Sequence, residues 1–91
     1  MIIKFKDKDT WVVFGEVDHV EYRNMTAAGE NPNQMGISSD VLQYRPSDDH
    51  PAVGDWIEMS FFTKNMTEAT RVIACTPIYI MNDQGRTVET I

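Results

Sequence analysis

The sequence predicts a mainly β fold in a single domain spanning 1–91: a small antiparallel β-barrel or sandwich of about six strands, with little or no helix and one long loop at 24–40. Three observations predict it. Apolar and polar residues alternate over 2–8 and again over 53–63, which is the period of a strand with one covered face. Gly15 and Pro77 each interrupt a β-rich run, where a small closed or nearly closed sheet has to bend. No stretch carries the apolar spacing of an amphipathic helix.

In chain order, Ile3 and Phe5 alternate with Lys4, Lys6 and Lys8, and the lysines guard that strand against edge-to-edge pairing. Asp7, Lys8 and Asp9 turn the chain, and the β-branched and aromatic run 10–14 completes a hairpin. Gly15 then bends the second strand, because Val17, Val20 and Tyr22 are out of step with a straight one. Periodicity disappears over 24–40, and a loop of that length is usually functional or mobile. Residues 41–45 form a short strand ended by Pro46, and 47–51 is a polar turn.

Residues 53–63 are expected at the centre of the sheet. Ile57, Met59 and Phe61 lie on one side and must be covered; Ile3, Phe5, Val12 and Ile73 are the expected packing partners. Trp56, Glu58, Ser60 and Phe62 lie on the other, which is either a second core beneath the long loop or an open surface for a partner. The run 71–81 is the most apolar and reads as a strand buried on both faces, cornered at Pro77. A turn at 82–85 then returns the chain along 86–91.

The segment Pro51-Ala52-Val53-Gly54-Asp55-Trp56-Ile57 resembles the entry into a strand in small SH3-like and OB-like barrels, where a Val-Gly-Asp turn precedes an apolar strand. The resemblance implies a barrel of that size. It implies no activity, since such scaffolds carry many.

With 91 residues the chain buries a modest core, so a partner or a second copy that adds area is an expected part of its biology. Its formal charge of -6, from 14 acidic and 8 basic side chains, argues against direct nucleic-acid binding and against an anionic membrane surface. Cys75 is the only cysteine, which excludes an internal disulfide and any paired-cysteine zinc site. Neither a leader peptide nor an apolar run of ~18 residues is apparent, and a cytoplasmic location is expected.

Several constellations bear on function. Asn-Met-Thr occurs at 24–26 and at 65–67, each preceded by a basic residue and directly after a predicted strand, so the two segments could form one composite surface. Met25, Met35 and Met66 fall in predicted loops, where flexible thioethers suit an adaptable contact surface or a small cluster under the loop. Tyr22-Arg23 and Tyr44-Arg45, with Trp56 and Phe62, suggest a stacking platform. Glu16, Asp18 and Glu21, with Asp48 and Asp49, form an acidic patch able to imitate nucleic-acid charge. His19 and His50 each have neighbouring acids but too few ligands for a metal, so no metal site and no cofactor are expected. No nucleophile elbow or phosphate loop is present, and an enzyme is not expected.

The leading expectation is therefore a non-enzymatic protein–protein interaction module, possibly self-associating, that uses the 24–40 loop and the 64–70 segment. One alternative is an acidic inhibitor of a nucleic-acid-binding enzyme. Another is a small-ligand or oligonucleotide-binding barrel that uses Tyr22, Tyr44 and Trp56.

Overall fold

The structure, a computed structural model, describes residues 1–45 and 54–91; the expected turn at 47–51, with Asp48, Asp49 and His50, lies outside the described residues. Strands are β1 (Ile2–Asp7), β2 (Thr10–Phe14), β3 (Val17–Asn24), β4 (Leu42–Gln43), β5 (Trp56–Thr63), β6 (Thr70–Cys75), β7 (Tyr79–Met81) and β8 (Thr87–Thr90), and one short 3-10 turn covers Pro32–Gln34. Among the described residues these eight strands form two four-stranded sheets, ordered β2-β1-β7-β8 and β3-β5-β6-β4.

The fold is thus a sandwich-like pair of open sheets and not a closed barrel. Six expected strands become eight because the chain changes sheet at both predicted bends. At Gly15 and Glu16 it leaves β2 for β3 in the second sheet, with Glu16 in the left-handed region at φ 55. At 76–78 it leaves β6 and returns to the first sheet as β7. Pairing is antiparallel except between β4 and β6, which run parallel, a consequence of the long connection that precedes β4.

The core lies between the sheets. Ile3 and Phe5 of β1 meet Val17, Ile57, Met59, Phe61, Val72 and Ala74 of the second sheet, with Ile78 of the corner among them. Aromatic rings close one end: Phe14 stands edge-on to Phe61 at 5.1 Å between ring centroids, and Tyr44 to Phe5 at 5.3 Å. As expected, β5 is central in its sheet and buries Ile57, Met59 and Phe61 completely. Val12 packs against the cluster from β2.

Ile73 does not pack there. Val72 and Ala74 belong to the core cluster, so strand alternation turns Ile73 and Cys75 to the outer face of the second sheet, where they are buried nonetheless. The 25–41 segment covers that face. Met25 and Pro32 are buried, the Met25 N–H donates to the Trp56 carbonyl (2.8 Å), and the Trp56 N–H donates to the Thr26 hydroxyl (2.9 Å). A tight turn follows, in which Gly29 takes φ 76. The β6 run is therefore buried on both faces, as its composition predicts.

The open sides are tied by specific bonds. The Tyr22 hydroxyl of β3 donates to Glu89 of β8 at 2.5 Å, spanning the two sheets. Glu89 is the register partner of buried Ile80, so β8 carries a carboxylate on its inner side, and the register shifts beside it, two devices that blunt a free edge.

Candidate binding surface

The outer face of the first sheet follows from one alternation and one register. Because Ile3 and Phe5 face the core, Lys4 and Lys6 face out. The hairpin pairs Lys4 with Val13 and Lys6 with Trp11, and β7 places Tyr79 beside Lys4 and Met81 beside Ile2. All these side chains share one face. Trp11 is 46% exposed and Val13 56%.

Two ammonium groups converge on the Trp11 ring: Lys4 Nζ lies 4.5 Å from the ring centroid and Lys6 Nζ 5.2 Å. Tyr79 leans toward the same indole, with centroids 6.1 Å apart and the planes at 52°. Between them runs a groove of about 250 Å³ lined by Lys4, Trp11, Tyr79, Met81 and Thr87. Among the described residues, no ion pair engages either lysine.

The residues singled out in the sequence fall elsewhere and do not form one surface. Tyr44 lies inward with its ring against Phe5 and Phe14, and Tyr22 sits at the sheet edge, its hydroxyl held by Glu89, a bond that raises its pKa. Trp56 is half-buried on the opposite side of the second sheet. The platform of Tyr22, Tyr44 and Trp56 is thus not assembled. Phe62, at 41% exposure, remains open at the far end of β5, so the mixed side of that strand is covered at one end and bare at the other.

The two Asn-Met-Thr triplets are likewise separated. Asn24 pairs with Ile57 at the start of β5, whereas Asn65 follows its end, so antiparallel pairing sets the triplets apart by a strand of about 25 Å. Their conformations differ too. Asn24 accepts the Ala27 N–H and donates to Asp55, with Met25 buried behind it, while Asn65 adopts φ 68 and leaves Met66 exposed. Met35 is exposed in the covering segment. A surface joining the 24–40 loop to the 64–70 segment is not what this geometry builds.

Arg23 belongs to a charged network on the outer face of the second sheet. It pairs with Glu30 of the covering segment and with Glu58 of β5, which also faces Arg71 at 3.9 Å. The Glu30 hydrogen bond, first, and the nearby Glu58 charge raise the Arg23 pKa. Glu16, Asp18 and Glu21 are exposed around β3, an edge strand, and Glu21 lies 3.4 Å from His19. Among the described residues, no three His, Cys, Asp or Glu side chains converge as metal ligands.

Burial pushes the Cys75 thiol up to about 11 from an ordinary 9.0. The unfolded thiol therefore ionises first. Its contribution to stability is fully present below pH 9 and is lost as pH rises from about 9 toward 11. Native protein is expected to resist iodoacetamide at pH ~8 and to react only as it unfolds. The Cys75→Ala variant should show a shallower alkaline decline in stability than the parent; rapid labelling of folded protein would overturn this account.

Sequence reasoning missed Lys4, Lys6, Trp11, Val13 and Tyr79 as one surface. The signal was present: once Asp7 pairs with Thr10 across a two-residue turn, Trp11 and Val13 must share a face with Lys6 and Lys4. Comparison with protein-family models, with curated proteins and with solved structures gives no match to this chain.

Proposed function

We propose that the chain is a non-enzymatic protein-interaction module that engages its partner through the outer face of the first sheet. The observation that supports this reading is the half-exposed Trp11 and Val13, set beside two lysines and a groove, on a molecule whose other sheet is covered over much of its outer face by its own 25–41 segment. Large aromatics that stay exposed on a rigid sheet are the residues on which interfaces concentrate their energy. Reactive groups are dispersed: Cys75 is buried and His19 is exposed beside Glu21.

The test is quantitative affinity capture from native cells, followed by affinity measurement on the recovered partner. Trp11→Ala is expected to weaken binding by about 2 kcal/mol, roughly thirtyfold, and Met35→Ala and Met66→Ala to leave it unchanged. Loss with Met35→Ala or Met66→Ala but not with Trp11→Ala would return the contact to the loop segments.

A second reading rests on the exposed carboxylates of Glu16, Asp18 and Glu21 around an edge strand, which suit an inhibitor that occupies a basic groove. Joint neutralisation of the three acids would then abolish association with a basic protein.

A further inference from the structure

We infer that the segment bound on this face is an acidic, extended peptide in which carboxylates alternate with apolar side chains. One carboxylate sits between Lys4 and Lys6, and the adjoining apolar side chain occupies the groove between Trp11 and Tyr79. The inference rests on the reading of this face as the interaction surface.

Three features select that occupant. First, Lys4 and Lys6 occupy successive outward positions on β1, roughly 7 Å apart along the strand, and both ammonium groups lean over one indole. Two like charges held against a single ring repel each other, and no ion pair relieves them among the described residues. A carboxylate between them would accept charge-assisted bonds from both. Second, the groove of about 250 Å³ is smaller than the roughly 300–1,000 Å³ that encloses a whole small-molecule ligand. Its walls of Trp11, Tyr79 and Met81 suit one branched or aromatic side chain.

Third, charge rules out the rivals. A nucleic-acid strand needs a basic track, whereas this face offers two lysines on a chain of charge -6. A second copy laid face to face would crowd its own Lys4 and Lys6 against the first pair and gain no anion.

The experiment uses the full chain carrying Trp56→Phe, so that Trp11 is the only tryptophan, with circular dichroism to confirm the fold. Four probes are titrated while Trp11 fluorescence is followed: a heptapeptide alternating Glu with Leu and Phe, the same peptide with Gln for Glu, the same with Lys for Glu, and a thymidine decamer. The acidic peptide should bind about tenfold more tightly than the Gln peptide, and the Lys peptide should not bind. Lys4→Gln with Lys6→Gln should abolish that preference, as should raising the salt from about 0.05 to 0.5 M.

Equal binding of the acidic and Gln peptides, or a decamer that binds more tightly than either, overturns the acidic partner while leaving the face in use. No response of Trp11 to any probe also overturns it. If, in addition, a partner captured from cells binds the Trp11→Ala variant undiminished, the face itself is wrong.

Discussion

Phe61→Ala is expected to lower the unfolding free energy by about 3–5 kcal/mol. The side chain is fully buried on the central strand of its sheet, and its ring supports Phe14, which in turn meets Phe5 and Tyr44. Deleting it removes a large apolar side chain and opens a cavity between two sheets whose backbones are fixed by their ladders, so little of the space can close. A domain of this length has roughly 5–15 kcal/mol in hand, and a modest core places it toward the lower end. Urea denaturation followed by circular dichroism measures the loss. Val88→Ala is the control: it is 63% exposed on β8 and should change stability by less than ~0.5 kcal/mol. A loss below about 1 kcal/mol for Phe61→Ala would mean that β5 is not the centre of the core.

That β5 is central was legible from its own residues, because alternation over eight positions leaves one side with nothing but Ile57, Met59 and Phe61. The same local logic gave the first hairpin, the two corners and the doubly buried β6. Local patterns fail where the partner is distant. Tyr44 reads like an exposed aromatic beside Arg45, yet β4 lies against β6 and turns that ring into the core. Met25 reads like a flexible loop residue, yet its segment folds back over Ile73 and Cys75 and so replaces solvent on that face. The long 24–40 stretch lacks periodicity because it covers a sheet without joining its ladder, and its order comes from side-chain bonds such as Asn24 to Ala27 and Arg23 to Glu30.

The binding face was hidden for a related reason. Lysines alternating on β1 have a sufficient local explanation as guards of a strand edge, but β1 is flanked by β2 and β7 and is not an edge. Their presence in the middle of a sheet, under an exposed tryptophan, is therefore left unexplained by edge protection. It is this displacement from edge to interior that turns Lys4 and Lys6 from ordinary surface charges into candidates for recognition.

Gly54→Ala is expected to destabilise the fold by about 1–3 kcal/mol or more, and to reach the binding face as well. A Cβ at this position would meet the Thr76 hydroxyl and would lie 2.6 Å from the Thr76 carbonyl oxygen. The closeness has a cause. Asp55 and Thr76 are stitched together twice: the Thr76 N–H donates to the Asp55 carbonyl and the Asp55 N–H donates to the Thr76 hydroxyl, each at 2.9 Å. These bonds hold the entry of β5 against the exit of β6, where Trp56 pairs with Cys75. Removing the hydroxyl does not make room, because the carbonyl remains. Thr76→Ala added to Gly54→Ala should therefore recover only part of the loss, and full recovery would show that the hydroxyl alone sets the clash. Backbone pushed back at Thr76 moves the corner 76–78 that leads directly into Tyr79, one wall of the groove. At temperatures where the variant is still folded, Gly54→Ala should thus weaken acidic-peptide binding without touching Lys4, Lys6 or Trp11. Unchanged affinity in folded Gly54→Ala protein would separate the corner from the site and leave Tyr79 positioned by its pairing with β1 and β8 alone.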